Sequence, residues 1–336
     1  MRRLGVLRAG PGLTVQDMGR PGYLAFGLSR GGAMDRLALA EAAALLGQPP
    51  GLALIEMAGM GGEFEAGADL RIALTGAPMA AEIDGQRVAW NACHVLPAGA
   101  RLNIGAARAG VYGYLALGGG IATDPVLGSR SAHLAAGLGA PLAEGDLLPV
   151  GDDPAPGRTG LALPEDDRFS GGPVRVVAGP QTGFFDDEVL RRFTSEPFRR
   201  DTRGNRMGLR LLPEGPGLAA EAGLSILSEI VVPGDIQITG DGTPFVLMAE
   251  CQTTGGYPRI GTVIGADLPR VAQSAPGAKL RFQVIGLDEA RAIEATERAR
   301  IEALADRAYP LVRDPATIPD LLSYQLISGV TAGDDT

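Results

Sequence analysis

The chain is short of lysine, histidine, cysteine and aromatic residues, and each scarcity closes off a class of function. Lys279 is the only lysine, and it lies in Pro276-Gly277-Ala278-Lys279-Leu280 without the glycine-rich lead of a G-x-x-x-x-G-K-[ST] phosphate loop. No G-x-G-x-x-G opens a helix, so the common dinucleotide fingerprint is missing too. The two histidines, His94 and His133, have no i, i+4 pairing and no acid at ligand spacing, which argues against a metal centre. Two cysteines, Cys93 and Cys251, make neither a disulfide framework nor a zinc site. No run approaches the roughly 18 apolar residues that span a bilayer. Arg8 and Pro11 interrupt the apolar residues near the start, so no signal peptide is expected and the location should be cytoplasmic. A net charge of −9 leaves no broad electrostatic footprint for nucleic acid.

What is present is glycine, at 50 residues, with 25 prolines and 45% hydrophobic residues in a chain of 336. Frequent turns between short apolar runs favour a mainly β protein with a few helices, and the length fits about two domains. Gly151 to Pro173 is dense in Pro, Gly and acid and reads as an exposed connector. It divides a first domain, 1–150, from a second, 174–308, with a tail at 309–336 that is loose beyond about Ser328. Strands are expected at Leu70 to Thr75, Ala81 to Ile83, Arg87 to Trp90, Arg101 to Ile104 and Val111 to Leu117. The second domain should hold strands at Val174 to Val177, Ile236 to Ile238, Phe245 to Met248 and Leu280 to Ile285. Asp84-Gly85 predicts a tight hairpin turn. Helices are expected at Ala33 to Leu46, at Gly183 to Phe193 and at Leu287 to Ala305, the last capped by Asp288. Pro97 to Leu102 echoes Pro276 to Arg281, as two related β domains would.

Gly27-Leu28-Ser29-Arg30-Gly31 matches the G-x-S-x-G nucleophile elbow, but Tyr23 to Phe26 before it is a short strand at best. Two richer segments combine glycine pairs with directional polar groups. One runs from Gly12 through Gln16, Asp17, Arg20 and Tyr23 to Asp35 and Arg36. The other is Gln252-Thr253-Thr254-Gly255-Gly256-Tyr257-Pro258, followed by Asp267. Glycine lets backbone N–H groups approach a ligand, and Gln, Thr and Tyr add hydrogen bonds suited to an amide, ureide or carboxylate. The bland alternative is turn chemistry, with Asp17 tying a loop and Asp35 and Arg36 forming a helix-end pair.

Four stretches together resemble the allophanate hydrolase subunit 2 family, also called the KipA or PxpC family, and equally the carboxyltransferase domain of urea carboxylase. They are Thr14-Val15-Gln16-Asp17-Met18-Gly19-Arg20-Pro21-Gly22; Gly32-Ala33-Met34-Asp35-Arg36; Gly118-Gly119-Gly120-Ile121 leading to Gly128-Ser129-Arg130-Ser131; and Arg206-Met207-Gly208 leading to Gln252 through Pro258. The resemblance covers about residues 3 to 287. The family usually has Pro where Ser29 stands and Ser where Gly31 stands, which makes the elbow accidental. Gly204-Asn205 replaces a common Ser-Asp.

The resemblance implies two cyclophilin-like β-barrel domains in tandem and a component of an ATP-dependent 5-oxoprolinase that opens the lactam of 5-oxoproline to glutamate. It implies partners too: an allophanate hydrolase subunit 1-like (KipI or PxpB) protein and a LamB/YcsF-like (PxpA) protein, with ATP bound with or by one of them. On that reading Gln252, Thr253, Thr254 and Tyr257 are catalytic. Gln16, Asp17, Arg20, Asp35, Arg36, Arg130, Arg206, Gly255, Gly256 and Asp267 bind substrate, and no metal is involved. The alternatives are biotin-dependent carboxyl transfer to urea or a related amide, with biotin supplied in trans because Lys279 lacks a Met-Lys-Met setting, and a non-catalytic regulator of a KipI-like partner.

Overall fold

The structure is a computed structural model that describes residues 2–218 and 226–312. The first half runs β1 (Arg3–Arg8), β2 (Thr14–Gln16), α1 (Arg36–Leu46), β3 (Leu54–Ala58), β4 (Glu63–Ala66), β5 (Leu70–Gly76), β6 (Met79–Ile83), β7 (Gln86–Arg87), β8 (Ala92–Leu96), β9 (Arg101–Ala107), β10 (Tyr112–Leu117) and β11 (Leu147–Pro149). After β12 (Leu161–Ala162) come β13 (Gly172–Val177), α2 (Asp187–Ser195), β14 (Phe198–Gly204), β15 (Gly208–Pro213), β16 (Glu229–Ile230), β17 (Asp235–Ile238) and β18 (Pro244–Leu247). The chain continues through β19 (Thr254–Gly255), β20 (Arg259–Val263), α3 (Leu268–Gln273), β21 (Lys279–Ile285), α4 (Leu287–Glu302) and β22 (Tyr309–Pro310).

The first half forms a six-stranded sheet, β11-β1-β4-β9-β6-β7, and most of a seven-stranded one, β2-β3-β10-β5-β8-β12-β22, to which the connector adds β12 and the end of the described chain adds β22. In the second half β13-β20-β17-β18-β15-β14-β21 closes into a seven-stranded barrel, sealed by parallel pairing of β13 with β21. Only that second barrel is closed among the described residues; the first half keeps its strands as two sheets. β5 and β10 are buried along their whole length, and their alternate residues serve two cores. Ile72, Leu74, Leu115 and Leu117 pack with Phe64 and Leu102 between the sheets. Ala73, Tyr114 and Ala116 pack with Ala38, Ala42 and Leu45 of α1, in a core that continues into the barrel through Val174, Phe198 and Phe282. Alanines on α1 let the helix lie close on β5, so one apolar core joins the halves.

The Asp84-Gly85 turn has φ of 48° and 79°, the doubly positive geometry of a two-residue hairpin, and sets Ile83 opposite Gln86. Helix α1 starts at Arg36, later than expected, because Asp35 is extended and its Oδ1 accepts from the Ala38 amide at 3.2 Å. Five local expectations need correction. Of the strand expected at Arg87 to Trp90 only Arg87 pairs, within the two-residue β7. Leu24–Phe26 is a turn of 3-10 helix rather than strand. The second helix begins at Asp187, after a 3-10 turn at Thr182–Phe184, because Asp186 caps it through Val189. Helix α4 is capped by the backbone of Gly286, with Asp288 inside its first turn. The acid-rich connector is not simply exposed: Asp153 accepts from Arg71 Nε and Nη2, Leu163 is core, and Arg168 is buried against Asp35 and Glu41 at 2.8 and 2.7 Å. Its charges read as solvent-seeking only while their partners, many residues away, are unknown. The expectation beyond Ser328 falls outside the described residues.

Candidate active site

Period-two alternation builds the first candidate site. Leu209, Leu211, Ile236, Ile238 and Val246 point into the barrel. Their neighbours Gly208, Arg210, Gln237, Phe245 and Leu247 point outward, with Gln237 and Arg210 both opposite Phe245. These outward residues floor a cleft of about 940 Å³, bordered by Thr202 to Asn205, Thr239 to Asp241, Gln252 and Tyr257. Gln237 faces outward yet is only 3% exposed, since the segment around Gly255 lies over it. A Cβ at Gly255 would meet Gln237 Nε2, so any side chain there would displace this amide from its present position.

Gln252 donates through Nε2 to Gln237 Oε1 at 3.1 Å. Gln237 Nε2 has no acceptor among the described residues. A buried amide left so costs about 1–3 kcal/mol, and its N–H groups suit the carbonyl or carboxylate oxygen of a small amide. Tyr257, 44% exposed, sits at the cleft edge. On the far side, hydrogen bonds from Arg203 and then Arg210 hold the Asp201 carboxyl well below its usual range. Asn205 Oδ1 accepts from the Met207 amide at 2.8 Å and the Gly208 amide at 3.3 Å, so the Asn that replaces a family Asp still closes this turn, without the charge.

The segment expected to be catalytic therefore divides. Gln252 and Tyr257 border the cleft. Thr253, Thr254, Gly255 and Gly256 supply backbone: Thr253 accepts from Val231, Thr254 and Gly255 pair with β16, and Gly256 accepts from Ile226. Burial of Cys251 pushes its thiol up to about 12, which removes it as a nucleophile.

Arg20 and Arg36 do not reach this cleft. They line a second pocket, of about 420 Å³, at the seam between the halves, together with Ser29, Arg30 and Met248. Two interlocked loops hold it. The Arg20 amide donates to Arg30 O at 2.8 Å and the Ala33 amide to Asp17 O at 2.9 Å. Gly32, at φ 85°, would place a Cβ 2.6 Å from the Gly19 nitrogen. Neither backbone can swing aside, so Gly32→Ala should lower stability by about 1–3 kcal/mol. A urea midpoint equal to that of the parent chain would show the loops to be looser than this.

The remaining sequence-chosen residues line neither pocket, and for all but exposed Arg130 burial explains why. Gln16 is fully buried, with Nε2 donating to Thr14 and Ala132. Asp17 accepts from Ser129 and Ser131 hydroxyls at 2.6 and 2.5 Å and from the Arg130 amide at 2.7 Å. Arg130 turns away to Thr123 O at 2.6 Å. Asp35 caps α1 and takes Arg168 and Gln273. Arg206 joins Glu56, Glu250 and Gly32 O, and Asp267 binds Arg175. Exposed Arg130 apart, each of these groups lies inside the protein and needs a partner, and the fold has supplied it except at Gln16 Oε1, which has none among the described residues. Sequence reasoning missed Gln237, whose one signal was an amide between Ile236 and Ile238, and Arg30, hidden within the serine-elbow match.

A model of the carboxyltransferase domain, subdomain A and B, matches residues 26–284. The chain is 35% identical over 313 residues to the C subunit of Escherichia coli 5-oxoprolinase, covering 91% of this chain and 99% of that protein. It is 33% identical to the Haemophilus influenzae protein of that name, covering 82% and 89%. The crystal structure of the Kluyveromyces lactis urea carboxylase superposes with a TM-score of 0.81 at 25% identity, over 93% of this chain but 31% of that one. A match over most of the chain, with these relatives, shows that the chain belongs to the family of carboxyltransferase domains built from subdomains A and B.

Proposed function

We propose that this chain is the C subunit of an ATP-dependent 5-oxoprolinase, which hydrolyses 5-oxo-L-proline to L-glutamate. The observation that carries the proposal is the 35% identity to the E. coli protein across 99% of its length. The chemistry of the barrel cleft supports it. Hydrolysis breaks the ring C–N bond, adds hydroxide to the carbonyl carbon and returns a proton to the ring nitrogen. In this reading Gln237 and Gln252, which line the cleft, orient an amide through neutral donors, and Tyr257 adds a hydroxyl at the edge. Opening an unactivated lactam is uphill, and ATP, held by or with a partner protein, supplies the drive.

The partners in this reading are a KipI-like (PxpB) and a LamB/YcsF-like (PxpA) protein, in the cytoplasm. A second reading draws on the likeness to urea carboxylase: carboxyl transfer from biotin carried by another protein. One experiment separates them. The chain is mixed with the two partners, and glutamate release from 5-oxoproline is followed with and without ATP. ATP-dependent glutamate that disappears when this chain is omitted is the expected result. An assembled complex that releases none would defeat the proposal and turn attention to biotin-dependent transfer.

A further inference from the structure

The seam pocket gathers three arginines without an acid among them. Elsewhere in this acidic chain Arg71, Arg168 and Arg206 are buried against carboxylates, and Arg200 is the one other buried guanidinium without an ion pair among the described residues. Arg20, Arg30 and Arg36 form no ion pair among the described residues. Arg20 is 1% exposed; its Nε and Nη2 donate to Val126 O and Ser131 O, while Nη1 has no partner among the described residues. Arg30 commits its Nε to Met18 O at 2.9 Å. The Arg36 side chain makes no hydrogen bond among the described residues, and burial, with the charge of Arg30, lowers its pKa to about 10.

The nearby acids are already engaged. Asp17 is filled by two serine hydroxyls and two amides, and Glu250 by Arg206 and the Ala135 amide. Glu294, Glu297 and Glu302 border the other flank of Arg36, outside the seam pocket, without pairing to it. Clustered like charges at a low-dielectric seam repel one another unless an anion joins them.

Ser29 adds a donor. Its Oγ lies 2.9 Å from His133 Nε2, and His133 Nδ1 accepts the Ala136 amide at 3.2 Å. That amide places the imidazole proton on Nε2, which therefore donates to Ser29. Burial also lowers the His133 pKa and keeps the ring neutral. In this tautomer His133 cannot take the serine proton, so Ser29 is a hydrogen-bond donor toward the pocket and not a nucleophile. The opposite wall is apolar, with Val231, Met248, Leu268 and Pro269.

We infer that the seam pocket is a binding site, separate from the barrel cleft, for a small organic oxyanion, a carboxylate or phosphate monoester with an apolar body. Arg20, Arg30, Arg36 and Ser29 hold the oxyanion and the apolar wall holds the body. Guanidinium forks match both anions.

The test is calorimetric titration of the full chain, without ATP or partners, using inorganic phosphate, phenyl phosphate, benzoate and 5-oxoproline as probes. At least one probe should bind saturably and weaken as salt is added. Arg36→Gln should weaken that binding at least ~10-fold, and it leaves no buried carboxylate orphaned. Ser29→Ala, a smaller change, should weaken it less, and serves as the second variant if Arg36→Gln folds poorly. Gln252→Ala, in the other cleft, should leave it unaltered. Binding by the phosphates alone assigns the phosphoryl class, and binding by the carboxylates alone assigns the carboxylate class. Failure of every probe, or binding indifferent to both seam variants, overturns the inference. Because no turnover is read, a failed 5-oxoprolinase reconstitution would leave this result standing.

Discussion

Arg206→Leu should lower folding stability by about 3–5 kcal/mol, the usual loss when one partner of a buried ion pair is removed. Arg206 bonds Glu56 and Glu250 and caps Gly32 O, and both carboxylate side chains are only 2% exposed. Glu56 also accepts from the Tyr114 hydroxyl and the Met34 amide, both at 2.8 Å, so it is fixed in place and cannot turn toward water. Without the guanidinium, two buried carboxylates would have to protonate or drag water into the seam. The pair spans 150 residues of sequence and joins the two halves, so the loss should be global. Urea denaturation followed by circular dichroism reads the effect. A midpoint near that of the parent chain would mean the ion pairs contribute little. The result bears on function too, because inactivity of this variant would report folding and not a lost substrate contact.

Gln237→Leu should do the opposite. Replacing a buried amide whose Nε2 lacks a partner among the described residues removes an uncompensated polar group, so stability should hold or rise by about 1 kcal/mol. If Gln237 and Gln252 orient the lactam, turnover of the reconstituted complex should fall at least ~10-fold, as when a preorganised donor is deleted. Gln252 loses its 3.1 Å partner but is exposed and can be hydrated instead. A gain in stability bought with activity is the signature of a polar group kept for chemistry. Full activity in a folded Gln237→Leu protein would remove this amide from the site.

Much of the architecture was legible where the signal is local. The Leu70–Gly76 run, the Asp84-Gly85 turn and the alanine-rich helix ending at Gly47 need only near neighbours to specify their backbone. Strand β14 was not legible. Its Phe-Arg-Arg-Asp-Thr-Arg-Gly sequence reads as a solvated charge run until Arg210, on the neighbouring strand, is brought to Asp201 at 2.7 Å. The Gln252–Tyr257 segment announced itself by its glycine pair and polar neighbours, whereas Gln237 was camouflaged by the isoleucines beside it.

Composition alone settled the predominance of β structure, and motif order alone carried the family resemblance. Which polar residues serve the fold and which face a pocket was decided only by tertiary contact. Asp17, Asp35, Arg206 and Asp267 look like site residues in the chain because charge beside glycine looks the same whether or not a partner exists. Their partners lie far away, with Arg168 133 residues from Asp35 and Arg175 92 from Asp267. A buried charge must be paired by whatever the fold brings to it, and local sequence carries no record of that distance. Arg20, Arg30 and Arg36 stand out from the other arginines only after the fold has left them together without an acid.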